Sequence, residues 1–316
     1  MPRLKMILNP AADHGHAAEK GPYLQEVIAG QVRAASNGGN YELSWVSTER
    51  PRHAIELAHE AAEQGYDAVV AIGGDGTVHE VVNGLMRVEA DRRPLLGVVP
   101  VGSGNDFAHN IGLPDDPLEA VHCLLGDTVR VVDVGIISDE TGRQEYWDNT
   151  IGIGFSGAVN IAAQSKTRWR GFMLYFISVL ETIFLRPTAL DAVVEIDDDP
   201  PTERGISMIS ICNGPREGGG FPVAPDARVD DGLITYTIMR RMSRFNMLRF
   251  LPVVMQGQHL KHPKFFTGGT ARRICIQTAQ TMAVHVDGEV FGPWEAGLRR
   301  VEVSILPQAL RVLCKG

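Results

Sequence analysis

The sequence predicts an α/β N-terminal domain with a parallel, Rossmann-like sheet, followed by a mostly antiparallel β-sandwich second domain. Three observations carry this. Up to about Asp133, short buried-type strands alternate with amphipathic helical segments, a pattern that implies parallel pairing through right-handed crossovers. Beyond that point, strand-like runs separated by turns dominate. Third, the chain has 316 residues, more than one compact core usually holds. The boundaries expected are 1–133 and 134–299, with a segment from about 300 to 316 returning to the first domain.

The elements follow in order. Leu4–Leu8 is an apolar run ending at Asn9-Pro10, a strand and then a loop. Ala17–Ala35 places Leu24, Val27, Ile28 and Val32 at helical spacing. Tyr41–Val46 alternates as a strand does. Pro51–Gly65 reads as a helix with Ile55, Ala58 and Ala62 on one side, stopped by Gly65. Ala68–Ile72 is a buried-type strand that runs straight into Gly73-Gly74-Asp75-Gly76-Thr77. Val78–Arg87 is the next helix and Leu96–Val99 the next strand. In the second half, Gly142–Ile153, Ala192–Ile196, Gly205–Cys212, Leu233–Met239, Ala271–Gln277 and Thr281–Asp287 read as strands, with two helical inserts. Val301–Ser304 and Leu310–Leu313 are strand-like again.

Composition narrows the class. The 30 Lys and Arg against 38 Asp and Glu leave a formal charge of −8, which argues against a general nucleic-acid binder. Cys123, Cys212, Cys275 and Cys314 show neither metal-ligand nor redox spacing, so free thiols in a reducing compartment are expected. The apolar run in Met1–Pro10 is too short for a signal peptide. The longest greasy stretch, Gly171–Leu185, is interrupted by Glu181 and falls short of the roughly 20 residues a spanning helix needs. The expectation is a cytoplasmic protein without a transmembrane segment.

Gly73–Thr77 carries the clearest chemistry. Three glycines in four positions let backbone N–H groups come close to a ligand, and the following helix directs the positive end of its dipole there. That is a phosphate cradle, though no Gly-x-x-x-x-Gly-Lys-Ser/Thr is present. Asp75 suits either a Mg²⁺-linked carboxylate or a base for an incoming hydroxyl; a tight turn with Asp75 as N-cap is the plain alternative. Gly102-Ser103-Gly104-Asn105-Asp106 repeats the arrangement after the next strand. Both turns fall at the carboxyl ends of strands, where such sheets bind ligands.

With these pieces the chain resembles the diacylglycerol kinase catalytic-domain family, in its bacterial soluble lipid-kinase branch, related to sphingosine and ceramide kinases. The resemblance rests on Asn9-Pro10, Thr48 with His53-Ala54, Gly73–Thr77 with Glu80 and Asn83, Gly102–Asp106, Val132-Asp133-Val134-Gly135, Gly152-Ile153-Gly154-Phe155, Asn213 with Gly218-Gly219-Gly220, Asp230-Asp231-Gly232, and Val286-Asp287-Gly288-Glu289. It implies a nucleotide-binding first domain and a lipid-acceptor second domain, with ATP in the cleft between them. Asn9, Thr48, Gly73, Gly74, Asp75, Gly76, Thr77, Gly102, Ser103, Gly104 and Asn105 would line the nucleotide site. Asp75, Asp106 and Asp133 would hold a catalytic Mg²⁺. Arg228, Asp231 and Leu233 would hold a second, structural metal. Asp287, Glu289 and Asp75 are the catalytic candidates, and the first two are favoured as base because they would come from the other domain. The reaction implied is transfer of the ATP γ-phosphoryl group to a lipid hydroxyl, and a homodimer is expected. A kinase of a soluble acceptor such as NAD, and a catalytically silent lipid- or nucleotide-binding module, are the alternatives.

This chain departs from the family at Ala11-Ala12-Asp13-His14-Gly15-His16, where more glycine and serine are usual, and at Ser156-Gly157, where many relatives carry an Asp. Gly152-x-Gly154-x-x-Gly157 matches a dinucleotide fingerprint by letter, but lies in the β-rich half without an acidic residue about 20 positions on. His79, His109 and His285 show no metal spacing and read as packing or surface residues. From 240 to 264 the chain carries Arg240, Arg241, Arg244, Arg249, Lys261 and Lys264 with no acid, and Phe245, Leu248, Leu251 and Met255 at near-helical spacing. That pattern suits peripheral contact with an anionic membrane as well as a solvated core helix. Lys166, Arg168 and Arg170 ahead of Phe172–Phe176 read better as a helix packed on the β domain.

Overall fold

The computed structural model describes residues 1–35, 41–126, 128–166, 169, 171–186 and 189–315. Arg168 and Arg170 lie outside them. The chain divides into two units, Met1–Val132 with Gln308–Gly316, and Asp133–Pro307.

In the first unit the strands are β1 (Arg3–Leu8), β2 (Glu42–Ser47), β3 (Ala68–Gly73) and β4 (Leu95–Pro100). The helices are α1 (His16–Ala35), α2 (His53–Glu63), α3 (Asp75–Leu85), α4 (Asp106–Asn110) and α5 (Pro117–Leu124). The strands pair in parallel in the order β2-β1-β3-β4. Because β1 is followed by β2 on one side and β3 on the other, the connections diverge at the β1/β3 boundary, the switch point where doubly wound sheets bind ligands. β3 is buried along its whole length, as a central strand covered on both faces must be. Val70 and Ile72 join Leu24, Ile28 and Val32 of α1 and Val121 and Leu124 of α5 in one core cluster. α2 and α3 pack against each other so closely that a Cβ on Gly84 would lie 2.4 Å from the Ile55 carbonyl oxygen. Ile28 and Ile72 are almost fully buried; truncating either to Ala would cost about 2–5 kcal/mol.

Two strands carry the chain out of this unit and back: β5 (Val129–Asp139) and, at the end, β15 (Arg300–Leu313). β15 pairs antiparallel within the second unit over 300–304 and parallel with β4 at Val312. The return is therefore at Pro307-Gln308, where Gln308 takes a positive φ of 52°, rather than near 300.

The second unit holds β6 (Gln144–Trp147), β7 (Thr150–Gly154), α6 (Phe155–Gln164), α7 (Gly171–Leu185), β8 (Leu190–Ile196), β9 (Thr202–Cys212), β10 (Ile234–Arg240), α8 (Arg244–Met255), β11 (Phe266–Ala271), β12 (Arg273–Thr278), β13 (Val284–Val286) and β14 (Glu289–Gly292). Their pairings are antiparallel. β9 changes partner along its length: 202–206 pairs with β8, 208–212 with β7, and the other edge with β10. Alternation along these strands sorts the side chains. Ile209, Ile211 and Ile238 enter a sandwich core with Trp147, Ile151, Val284 and Val301. Met208 and Met239 face the other way, into a cluster with residues of α6, α7 and α8.

Four details differ from the sequence expectations. β5, β11 and β14 are additional strands. The strand expected over Gly142–Ile153 breaks at Asp148-Asn149. Among the described residues, three α-helices rather than two punctuate the second unit. α3 starts at Asp75, so half of the glycine turn is already helix. Cys123, Cys212, Cys275 and Cys314 are free and buried. Burial pushes the Cys212 thiol well up and the Cys123 and Cys275 thiols up, which keeps them unreactive.

Candidate active site

In the first unit the residues after β1, β2 and β3 are laced together at the switch point. Asn9 donates from Nδ2 to Thr77 Oγ1 (2.9 Å). Its Oδ1 accepts the Thr48 hydroxyl (3.2 Å) and the Ala11 N–H (3.0 Å). Its own N–H reaches the Ile72 carbonyl at 3.0 Å. One asparagine thus sets the spacing of three strand ends.

The two glycine turns meet backbone to backbone. A Cβ on Gly102 would lie 2.3 Å from Gly74 Cα, and one on Gly73 would lie 2.2 Å from Thr77 Oγ1. Gly74 is the N-cap of α3, and its carbonyl accepts the N–H groups of Thr77 and Val78. The first-turn N–H groups of α3 therefore open beside the second glycine turn, an anion-binding arrangement.

Asp75 has a structural partner: its Oδ1 accepts the Phe107 N–H (3.1 Å) at the start of α4. Asn105, at φ 54°, closes the second turn on itself. Its Oδ1 accepts the Gly102 N–H and its Nδ2 donates to the Gly102 carbonyl, both at 3.0 Å. The Gly102 amide is thereby used within the turn, while Ser103 is exposed and Asp106 buried. Glu80 accepts the Arg52 and Ala54 N–H groups at 2.8 and 3.0 Å, capping α2; Asn83 donates to the His79 carbonyl.

In the second unit, Asp133 is fully buried. Its Oδ2 accepts the Gly232 N–H (2.6 Å), its N–H reaches the Val229 carbonyl (2.7 Å), and its carbonyl accepts Asn213 Nδ2 (3.0 Å). Asp231 Oδ1 accepts the Leu233 N–H (3.0 Å) around Gly232, whose φ is 71°. Asp133 thus joins the loop of Arg228, Asp231 and Leu233, whereas the sequence reading grouped it with Asp75 and Asp106. This loop offers hard oxygen donors, which suit Mg²⁺.

Asp287 and Glu289 part company. Asp287 is buried with φ 49°. Its carboxylate accepts the N–H groups of Asp148 (3.0 Å), Asn149 (2.9 Å) and Thr150 (2.8 Å). It holds the break between β6 and β7. Glu289 is exposed at the start of β14.

The sequence reading missed a polar cluster at the end of an apolar pocket. The pocket has a cavity volume of about 90 Å³, and its walls include Phe155, Tyr175, Val179, Met208, Phe250 and Phe266. Ser156 and Glu217 also line it. The Ser156 hydroxyl donates to Glu217 Oε1 and lies 3.0 Å from His285 Nε2, which in turn lies 3.2 Å from Glu217 Oε1. Burial works against charge on Glu217, but the hydrogen bonds and charge of His285, with hydrogen bonds from Ser156 and Ser210, hold its carboxyl below the ordinary glutamate value. His285 Nδ1 has no hydrogen-bond partner. All contacts converge on Nε2, so this is not a nucleophilic relay, which needs the carboxylate on the other ring nitrogen. A Cβ on Gly152 would sit 2.2 Å from His285 Nε2, and one on Gly157 2.3 Å from the Ala283 carbonyl oxygen. The glycines that spell a dinucleotide fingerprint are thus packing requirements.

The six cations at 240–264 are all exposed. Arg241 is paired with Asp191 at 2.5 Å, so an acid distant in sequence reduces the local charge. Phe245 is 74% exposed at the start of α8, and Phe184 and Leu185 are exposed at the end of α7. Lys166 pairs with Glu181 at 2.6 Å. Among the described residues, no helix is long and apolar enough to cross a membrane.

Comparison with known proteins adds to this geometry. Residues 3–137 match the family model described as diacylglycerol kinase catalytic domain, and 149–314 the one described as YegS C-terminal NAD kinase beta sandwich-like domain. A diacylglycerol kinase of Bacillus subtilis (strain 168) is 30% identical, covering 92% of this chain and 91% of its own. A Chromohalobacter salexigens protein named "Probable lipid kinase YegS-like" is 33% identical over 73% of this chain and 70% of its own. The crystal structure of a diacylglycerol kinase from Bacillus anthracis str. Sterne has the same fold, with a TM-score of 0.73 at 21% identity, covering 99% of this chain and 97% of that one.

Proposed function

Because the chain belongs to the diacylglycerol kinase catalytic-domain family, we propose that it transfers the terminal phosphoryl group of ATP to a hydroxyl of a membrane lipid, diacylglycerol or a related one. The observation that carries this reading is the backbone-on-backbone packing of Gly74 and Gly102 at the sheet's switch point. Two turns held this closely present the α3 N-terminus and the Thr77 and Ser103 region to a polyphosphate.

The protein's own groups then divide the work. Asn9, Thr48 and Thr77 fix the strand ends under the phosphates. Asp75 and Asp106 are the first-unit carboxylates that would hold Mg²⁺, which when bound neutralises charge on the phosphate oxygens. Asp133 and Asp231, with the carbonyls of Arg228 and Leu233, would hold a second, structural ion. Glu289 accepts the proton of the attacking hydroxyl; its exposure supports this over Asp287, whose oxygens are committed to three backbone N–H groups. Asp287 is a positioning residue for the 148–150 loop. The apolar pocket receives the lipid chain.

The exposed cations and Phe245, with Phe184 and Leu185, support peripheral contact with an anionic membrane. The test is a labelled-ATP assay on the full chain against lipids in mixed micelles and against NAD, with products identified by mass. A phosphorylated lipid is expected. NAD phosphorylation without lipid turnover would replace this reading with a soluble-acceptor kinase, and no transfer to either would leave a binding module.

A further inference from the structure

The hairpin that carries Glu289 reverses in two residues. Asp287 and Gly288 take φ values of 49° and 85°, and Val286 pairs with Glu289 across them. That is the geometry of a type I′ turn, which favours Asp-Gly at its two central positions. The Asp287 half is anchored by its own groups: its N–H reaches the Thr150 carbonyl at 2.8 Å, and its carboxylate holds the 148–150 amides. The Gly288 half is anchored from another element. Asn160, buried on α6, donates from Nδ2 to the Gly288 carbonyl at 2.7 Å. That carbonyl belongs to the planar peptide joining Gly288 to Glu289, so its direction sets where the Glu289 side chain leaves the strand.

α6 holds Asn160 at a fixed reach. Gly157 lies three residues earlier on the same face of the helix. It sits so near the segment entering β13 that a Cβ there would lie 2.3 Å from the Ala283 carbonyl oxygen. Helix and hairpin therefore meet without a flexible side chain between them at that point. Packing alone does not call for asparagine at 160. Its Oδ1 is buried with no hydrogen-bond partner, which costs stability, and a leucine of similar shape would avoid that cost. The bond made by the Nδ2 end accounts for the polar side chain.

We infer that Asn160 is a positioning residue for phosphoryl transfer: by fixing the Gly288–Glu289 peptide it aims the Glu289 carboxylate at the hydroxyl whose proton that carboxylate accepts. The inference rests on Glu289 being the base. A base must lie within hydrogen-bond reach of the proton it takes, and a displacement of about 1 Å can cost around 10²-fold in rate. Binding of either substrate does not draw on this peptide, so the effect belongs in kcat.

The test follows labelled phosphoryl transfer from ATP by the full chain as wild type, Asn160→Leu, Glu289→Gln and the double variant. The acceptor is diacylglycerol, or whichever lipid of the mixed-micelle panel the wild type phosphorylates. Asn160→Leu is expected to lower kcat about ten- to a hundredfold. KM for ATP and for lipid should stay within about twofold of wild type, and the thermal midpoint within a few degrees. In the Glu289→Gln background the same substitution is expected to change kcat by less than about twofold, because no base is left to aim. Amide exchange over 286–290, read by mass spectrometry, is expected to quicken in Asn160→Leu. Asn160→Ala also lacks the donor and carries the test should the Leu variant not fold. A loss of kcat equal in size with and without the Glu289 carboxylate marks a structural role and overturns the inference, as does wild-type kcat in both Asn160 variants. Full turnover in Glu289→Gln alone is a different result: it removes Glu289 as the base, and the inference falls with that reading.

Discussion

Gly102→Ala tests the contact on which the nucleotide site depends. The new Cβ would lie 2.3 Å from Gly74 Cα, 3.0 Å from Gly74 N and 2.9 Å from Asn105 Oδ1. Carbon atoms rest at about 3.5–4.0 Å, so the two turns must separate by roughly 1 Å or more. Neither neighbour is a flexible side chain that could swing aside. Gly74 caps α3 and follows a fully buried strand, and Asn105 is bonded to Gly102 at both ends of its amide. Overpacking of this kind costs about 1–3 kcal/mol, which leaves the fold standing. A misplacement of about 1 Å at a reacting group can cost around 10²-fold in rate. The expected result is a fall of about two orders of magnitude in kcat/KM for ATP, with a thermal midpoint lowered by only several degrees. Gly30→Ala is the control: its Cβ meets nothing within 4 Å on α1, so kinetics should hold and stability should rise slightly. Wild-type ATP kinetics in Gly102→Ala would refute the packed-turn account of phosphate binding.

Three further outcomes are expected. Glu289→Gln should lower kcat by roughly 10²–10⁴-fold at an unchanged thermal midpoint. Asp287→Ala should instead destabilise the protein by about 3 kcal/mol or more, because three buried N–H groups lose a charged acceptor; equal kinetic and thermal effects in both variants would erase the division of roles. Glu217 has a folded-state pKa below its unfolded one, so the unfolded chain binds the extra proton. Its contribution is complete above the ordinary glutamate value of about 4.3 and is lost as pH falls through the folded value. Denaturation curves from pH 6 down to about pH 3 should therefore show a shallower loss for Glu217→Gln than for wild type. Reversing charge at Arg244 and Arg249 together should weaken binding to anionic vesicles by about 1 kcal/mol per residue, with a reduced salt dependence; vesicle sedimentation unchanged by the reversal would remove the interfacial role of α8.

How much of this was legible in the sequence depended on how far apart the partners lie along it. Gly73–Thr77 and Gly102–Asn105 are local signals: glycine density after an apolar run marks a strand-to-helix turn wherever it occurs, and the structure places both turns where the reading put them. The parallel pairing of these strands also follows from the alternation of strand and helix, whereas their order β2-β1-β3-β4 does not. The roles of the acids were not local. Asp287 and Glu289 are two residues apart and equivalent by letter, yet a positive φ at Asp287 turns one carboxylate onto the 148–150 amides while the other stays exposed. No spacing signal marks the hydrogen bond that Asp133 makes to a turn about a hundred residues later. Arg241 belonged to an acid-free window until Asp191 of another strand reached it.

The Ser156, Glu217 and His285 cluster is the limiting case, because its members are 61, 68 and 129 residues apart pairwise. No spacing rule can join them. The traces within the sequence are the departure at Ser156 and the glycines Gly152 and Gly157, which spell a fingerprint for another ligand and in the fold exist to make space, one of them beside this cluster. The same distance explains why acceptor selectivity and nucleotide binding leave unequal marks. Phosphate recognition uses backbone N–H groups that any chain has, so it needs only a turn, and a turn is contiguous. Reading a lipid head needs side chains of particular chemistry at one end of a hydrocarbon chamber. The walls of that chamber come from α6, α7, α8 and the sheet face beneath them. On the proposed reading, in which this pocket takes the lipid, a change of acceptor needs substitutions at lining positions such as 156 and 217 and leaves both glycine turns untouched. Swapping those two residues into a relative with different acceptor preference should move its KM for lipids and leave its KM for ATP where it was.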